Sequence, residues 1–235
     1  MPKRTLLSWS SGKDSAWALH ILRQRSEYEV VGLLTTVNET ADRVAMHAVR
    51  SELLRAQADA LGLPLYPIGI PQPCSNEQYE AAMTVAIARA RADGVTTMAF
   101  GDLFLEDIRS YRVSRLAGTG IEPIFPVWGI PTHRLAREMI AGGLRARLTC
   151  VDPKQLAADF VGREFDQALL DELPSGVDPC GERGEFHTFT YDGPMFERPI
   201  AIRAGEVVLR DGFVFADLKV PADAKAQDRT LDQAR

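Results

Sequence analysis

Ser10-Ser11-Gly12-Lys13-Asp14-Ser15 sets three hydroxyls, a glycine, a lysine and an aspartate into six consecutive residues. That set suits a phosphate. Gly12 lets the backbone approach closely, Lys13 adds a full positive charge, and the hydroxyls add donors. Farther along, Gly101-Asp102 offers a second carboxylate, which with Asp14 would hold a magnesium ion bridging phosphates. For Asp14 the rival role is structural, accepting N–H bonds within its own loop. A third group runs Asp178-Pro179-Cys180-Gly181-Glu182-Arg183-Gly184-Glu185-Phe186-His187-Thr188, dense in glycine and ionisable side chains. Glu182 and Glu185 there are candidates to bind an incoming amine or act as general base. The plainer alternative is a solvated acidic turn with Arg183 as its surface partner.

The elements around the first group must aim it. Thr5 to Trp9 is short and largely apolar, as a buried strand is, and Ala16 to Leu22 is rich in helix formers without Gly or Pro. A strand, a tight polar turn and a helix N-terminus make an anion site, because the first-turn N–H groups lack intrahelical partners and the helix dipole adds positive charge. A Walker A loop is excluded, since Leu7 and Asp14 stand where it needs a glycine and a Ser or Thr. The dinucleotide fingerprint fails too, because Gly12 stands alone. The stretch instead resembles the pyrophosphate loop of the N-type ATP pyrophosphatases, Ser-x-Gly-x-Asp-Ser. In that chemistry attack at the α-phosphorus of ATP makes pyrophosphate the leaving group, and charge develops where the loop and Lys13 can stabilise it.

Residues 1 to about 128 alternate strand-like and helix-like stretches. Strands are expected at Val30–Val37, Leu63–Ile70, Val95–Phe100 and near Ile124–Val127. Helices are expected over Val44–Leu61 with Gly62 as C-cap, from a Ser75/Gln78 capping box to about Ala92, and around Ile108–Ala117. This alternation predicts an α/β fold, a parallel sheet with helices on both faces and the ligand beyond the strands' carboxyl ends. The loop, Asn38-Glu39 and Gly101-Asp102 all fall there, so they should converge on one cleft. Thr35, Thr36 and Val37, at the end of the second strand, are placed to bind adenine through the backbone.

After Trp128 the texture changes, and a smaller C-terminal α+β unit is expected over 129–221. Its elements read as a helix from Pro131-Thr132 to about Gly142, a strand at Leu144–Val151, a helical Gln155–Leu173 broken near Gly162, and strands at Ile200–Arg203 and Glu206–Val220. Residues 222–235 read as a polar, uncapped tail without stable structure. Because Glu182 and Glu185 lie far beyond Asp102, they suggest a second site and a second half-reaction.

At 46% hydrophobic and 25% charged, the composition is that of a globular domain with an ordinary core. No apolar run approaches membrane-spanning length and the N-terminus leads into a strand rather than a signal peptide, which points to the cytoplasm and no membrane partner. Cys74, Cys150 and Cys180 are far apart, arguing against a disulfide scaffold or zinc knuckle. A net charge of −5 argues against a large nucleic-acid footprint, and a homodimer is compatible with everything above.

Taken together, the Ser10–Ser15 loop, Gly101-Asp102 and the Asp178–Phe186 stretch resemble the diphthine–ammonia ligase family of pyrophosphate-loop ATPases, over residues 1 to about 195. The resemblance implies a HUP-type, adenine nucleotide alpha hydrolase-like domain over 1–128 and a substrate domain after it. It implies ATP and magnesium, a small-molecule or protein-borne carboxylate activated as its acyl-adenylate, and ammonia or an amine as the attacking nitrogen. His47, on the helix beside Met46, matches a family histidine and is either ligand-facing or core. His187 stands just after Gly-Glu-Phe, where the diphthine enzymes are expected to carry a second acid. That departure resembles the bacterial branch and implies a substrate other than diphthine. His187 is then a candidate to position a carboxylate or phosphate, and Tyr111 with Arg112 to line the cleft. Cys180 is a nucleophile or a small buried hydrophobe, while His20 and His133 read as surface residues. The rival functions are a tRNA-modifying enzyme on the same loop and a nucleotide-binding sensor.

Overall fold

Leu6, Leu34 and Met98 project from one side of a sheet and Leu7, Leu33 and Ala99 from the other, the two-residue alternation that strands impose. The computed structural model describes residues 1–38, 43–44 and 49–221. In chain order the first half contains β1 (Lys3–Ser8), α1 (Lys13–Arg23), β2 (Tyr28–Asn38), β3 (Arg43–Val44), α2 (Ser51–Leu61), β4 (Leu65–Ile70), α3 (Asn76–Ala92), β5 (Thr97–Ala99), α4 (Glu106–Leu116) and β6 (Glu122–Ile124). The second half contains α5 (Thr132–Ala141), β7 (Arg145–Val151), α6 (Gln167–Glu172), β8 (Phe186–Asp192), β9 (Arg203–Arg210) and β10 (Phe213–Lys219).

Five parallel strands run in the order β4-β2-β1-β5-β6, and the two-residue β3 pairs antiparallel with the end of β2. Leu6, Leu34 and Met98 pack with Ala90 of α3 and Leu116 of α4. Leu7, Leu33 and Ala99 pack on the opposite face with Leu19 of α1 and Leu53 and Leu54 of α2. The expected α/β architecture of HUP type, with helices on both faces, is therefore present. The strand order reverses between β1 and β5, the switch point where ligands of open α/β sheets bind. β7 to β10 form a separate antiparallel sheet in the order β8-β7-β10-β9. Its Leu148, Phe186 and Phe189 join the same apolar core as α1 and α2. Among the described residues no helix is long and apolar enough to cross a membrane.

Local signals explain several boundaries. Ser75 Oγ accepts the Gln78 N–H while the Gln78 side chain accepts the Ser75 N–H, closing the capping box of α3. Gly62 ends α2 at φ +64°, a left-handed turn that suits glycine. Four expectations need correction. The helix expected from Val44 begins, among the described residues, at Ser51, and Val44 pairs with Val37 as a strand. The helical Gln155–Leu173 is mostly extended or turned, with one 3-10 turn at Ala158–Phe160 and α6 beginning only after the Asp166 cap. There Gly162 at φ +80° and hydrogen bonds from 162–165 to Ala146 and Leu148 lay the chain along β7 instead. The strand expected at Ile200–Arg203 does not form: 200–202 carry no regular structure and β9 begins only at Arg203, while the sheet is completed by β8 at Phe186–Asp192. Finally, Glu206–Val220 is a hairpin, turned at Asp211 and Gly212. The tail 222–235 lies outside the described residues.

Candidate active site at the seam between the sheets

β1 ends at Ser8, and the chain turns through Ser10 to Gly12 into α1. The turn depends on Ser11 at φ +69°, a left-handed conformation unusual for a residue with a side chain. What holds it is Gln57 of α2, fully buried. Its amide donates to the Ser11 carbonyl at 2.9 Å and the Thr190 carbonyl at 2.6 Å, while its oxygen accepts the Trp9 indole N–H at 2.9 Å. The Thr190 N–H donates to the same Ser11 carbonyl at 3.0 Å. The loop is thus tied to β8 as well as to its own domain. Gln57 and Thr190 were not legible as site-building residues: one glutamine in an amphipathic helix carries no spacing signal.

β8 also meets the start of α1. Thr188 Oγ1 accepts the Lys13 N–H at 3.1 Å, and a Cβ on Gly12 would lie 3.1 Å from the Thr188 carbonyl. The small size of Gly12 therefore admits a neighbouring strand, in addition to the phosphate expected from sequence. Ser10 and Ser15 share a hydroxyl contact at 3.1 Å, and Ser15 Oγ donates to the Gly12 carbonyl at 3.0 Å. The Ser11 hydroxyl is buried without a hydrogen-bond partner. Gly101 packs directly on the loop, since a Cβ there would stand 2.9 Å from Asp14 C and Ser15 N.

Lys13 is buried, with Nζ donating to Asp14 Oδ2 at 2.9 Å and to the Cys180 carbonyl of the glycine-rich stretch. Burial pulls its pKa down, but Asp14 first among the negative groups around it holds the ammonium above its ordinary value. Burial pushes the Asp14 carboxyl above the usual carboxylate range, against the pull of Lys13. Asp102 is likewise raised by burial, partly offset by Arg112, whose Nε lies 3.5 Å from Asp102 Oδ2.

A cleft of about 540 Å³ opens where these groups meet, and Ser10, Lys13, Asp14, Asp102, Glu182 and His187 all line it. The two groups expected at separate sites, the loop and Glu182, share this one cleft. Glu182 Oε1 accepts the Leu103 N–H at 2.8 Å, and its pKa is raised to about 7, chiefly by burial, with Asp14 and Asp102 adding to the rise. His187 is lowered to about 4 by burial and by Lys13, so its imidazole is neutral near pH 7. Beside the cleft, sharing Ser8, Ser10, Phe100 and Arg112, lies a second space of about 690 Å³. Thr35, Thr36, Ile70, Met83 and Tyr111 line it, an apolar and aromatic setting suited to a purine. Val37 packs against the main core instead, and His47 lies outside the described residues.

Glu185 is placed differently. It is 2% exposed, and its two oxygens accept the N–H groups of Asp178 and Arg183, each at 2.9 Å. Asp178 in turn accepts the Cys180 N–H at 2.9 Å and the Thr132 hydroxyl at 2.6 Å. These two carboxylates hold the loop that presents Glu182; Glu185 is not brought into the cleft. Gly181, at φ +68°, is needed because a Cβ there would meet the Phe186 carbonyl at 2.7 Å. Cys180 is 1% exposed, its Sγ donates to the Thr132 carbonyl, and burial pushes its thiol pKa up. That suits a small buried residue, not a nucleophile.

Among the described residues no three His, Cys, Asp or Glu side chains are grouped to hold a metal. Magnesium asks for less: one or two carboxylates, with water and phosphate completing its shell. Asp14 Oδ1 is a buried carboxylate oxygen without a hydrogen-bond partner, Asp102 Oδ2 is buried with only the 3.5 Å ion pair to Arg112, and both residues line the cleft. That donor set fits the ion.

Residues 3–119 match the family described as the diphthamide synthase N-terminal domain, and residues 131–220 the diphthamide synthase C-terminal domain. A diphthine–ammonia ligase of Danio rerio is 28% identical over 253 residues, covering 94% of this chain and 97% of that protein. The Homo sapiens diphthine–ammonia ligase is 27% identical over 229 residues, covering 88% of this chain and 85% of that protein.

Proposed function

The chain belongs to the diphthamide synthase family, and from that premise we propose that it is an ATP-dependent ligase that adenylates a carboxylate, releases pyrophosphate, and transfers ammonia or an amine to the acyl group, leaving AMP. The observation that carries this reading is the convergence of Lys13, Asp14, Asp102 and Glu182 on one cleft at the switch point, beside a space suited to adenine. On this reading residues 1–128 form the nucleotide unit and 129–221 the substrate unit, in keeping with the extents of the two family matches. The adenine lies by Thr35 and Thr36, and the triphosphate runs over the Ser10–Ser15 turn.

A carboxylate oxygen of the acid attacks the α-phosphorus, and the bond to the bridging oxygen of pyrophosphate breaks. Lys13, itself buried, neutralises charge developing on that leaving group, and a fixed charge already held in place costs no reorganisation at the moment of reaction. Magnesium, held by Asp14 and Asp102, would supply further charge neutralisation at the phosphates. Ammonia then attacks the acyl carbon, the acyl C–O bond to the adenylate phosphate breaks and AMP leaves, and Glu182, near neutrality in its proton affinity, takes the proton that the attacking nitrogen gives up. Glu185 acts on this reaction only through the loop it holds. The acid is one other than diphthine: neutral His187 offers a hydrogen bond where a second carboxylate would stand. The three unpaired cysteines suit a cytoplasmic enzyme.

The test is a panel of carboxylic acids incubated with ATP, magnesium, ammonium and the purified chain, scored for pyrophosphate and separated by ion-exchange chromatography. AMP with pyrophosphate is the expected nucleotide product pair. ADP with inorganic phosphate as primary products overturns the assignment.

A further inference from the structure

Among the described residues β9 forms one edge of the small sheet, pairing only with β10. Edge strands ordinarily guard against further pairing with charge, proline or a bulge. β9 has one irregularity, where Gly205 and Glu206 together stand opposite Asp217 of β10. Beyond it the ladder is regular and presents Val207, Val208 and Leu209 in succession, 61%, 43% and 72% exposed, bracketed by exposed Glu206 and Arg210. The hairpin closes through two residues of positive φ, Asp211 at +53° and Gly212 at +84°. In such a turn the flanking Arg210 and Phe213 are the first hydrogen-bonded pair. Alternation along the ladder then directs the N–H and C=O groups of Val207 and Leu209 to the open edge.

We propose that this edge pairs antiparallel with the same edge of a second copy of the chain, about a twofold axis at Val208, joining two four-stranded sheets into one. Charge complementarity selects both the occupant and the register. With the axis at Val208, Val207 of each copy faces Leu209 of the other through outward-directed backbone groups, and Glu206 faces Arg210, twice by symmetry. An axis at Val207 sets Glu206 against Val208, and one at Leu209 sets Val208 against Arg210; neither pairs the charges. The strand is self-complementary in one register, as an isologous interface must be. The inference is independent of the catalytic reading, since neither Glu206 nor Arg210 lines the cleft.

Sedimentation equilibrium of the full chain across a dilution series tests it. The wild type is expected to dimerise. Glu206→Arg places like charges opposite each other twice and should weaken the dimer by about tenfold or more. Arg210→Glu, which also gives up the 3.8 Å contact with Asp211 and the place over the Phe215 ring inside the hairpin, should weaken it at least as much, and the double exchange Glu206→Arg with Arg210→Glu should recover most of the wild-type association. Glu206 makes no described ion pair within its own chain, so Glu206→Arg leaves the fold intact, which circular dichroism checks. A wild type that stays monomeric, a dimer indifferent to the single reversals, or a double exchange as weak as its components each overturns the proposal.

Discussion

Replacing Glu182 by glutamine removes a charge while preserving shape and the acceptor for the Leu103 N–H. Glu182 has its folded pKa raised to about 7 against an ordinary 4.5, mainly by burial. The folded protein therefore holds a proton that the unfolded chain has released between those values. The sign follows: this carboxyl's contribution is most favourable below pH 4.5 and is lost as pH rises through about 7. At about 1.4 kcal/mol per tenfold difference in proton affinity, the loss is at most about 3 kcal/mol. Glu182 is only part-buried, and solvent screening reduces this to about 1–2 kcal/mol. Glutamine does not ionise, so the variant escapes the loss. For a chain of this length the gap in thermal midpoint, variant minus wild type, should widen in the variant's favour by about 3–6 °C from acid to mildly alkaline pH. Scanning calorimetry of both proteins without nucleotide, at about pH 4.5 and about pH 8, reads it, and any fixed offset from the amide cancels. A gap that stays constant, or moves the other way, refutes the placement of Glu182 as a desolvated cleft carboxylate.

Glu185→Gln should act in the opposite sense, lowering the midpoint near neutral pH. One of the two loop N–H groups it accepts would then face an amide donor, at a cost of about 1.5–3 kcal/mol. Gly101→Ala should weaken ATP binding, read by isothermal titration calorimetry, by about tenfold or more, because its Cβ would press on backbone of the phosphate loop. Gln57→Leu leaves the Trp9 indole and the Thr190 carbonyl without their partner. It should destabilise the fold by about 2–4 kcal/mol in urea titration and loosen Ser11 from its left-handed turn, weakening ATP binding.

The nucleotide half was legible because its determinants are local. The Ser10–Ser15 turn follows its strand directly, the Ser75–Gln78 box spans one helical turn, and Gly62 announces its own αL cap. Gly101-Asp102 follows β5 closely, and its convergence with the loop follows from strand order. What stayed hidden depends on contacts across the chain. Gln57 reaches Thr190, Thr188 reaches Lys13, and the Lys13 ammonium reaches the Cys180 carbonyl, each bridging sequence separations that no periodicity encodes. Glu182 and Glu185 differ by three positions and look alike in sequence. Their divergence into cleft and scaffold goes with Gly181 at positive φ just before Glu182 and Gly184 at positive φ between the two glutamates, where the chain turns. Asp211-Gly212 was a readable hairpin signal that the apolar run around it masked.

One shared cleft has a consequence for the proposed chemistry. An acyl-adenylate is a mixed anhydride that water destroys, so two separated sites would require it to travel through solvent. Here Glu182, its pKa raised to about 7, lines the same space as Lys13, the lysine proposed to stabilise the departing pyrophosphate. The intermediate need not move, and the second nucleophile meets it at an effective concentration far above that in solution. Lys13 is the hinge of that arrangement, because its one ammonium touches both the loop carboxylate Asp14 and the backbone of the stretch that carries Glu182. On the proposed reading, a triphosphate drawing Lys13 toward itself would loosen the Cys180 carbonyl contact and so would couple nucleotide binding to the position of Glu182 through a single side chain. Removing that side chain should therefore impair both half-reactions together, whereas loss of the Glu182 charge should spare adenylation and slow only the attack by ammonia.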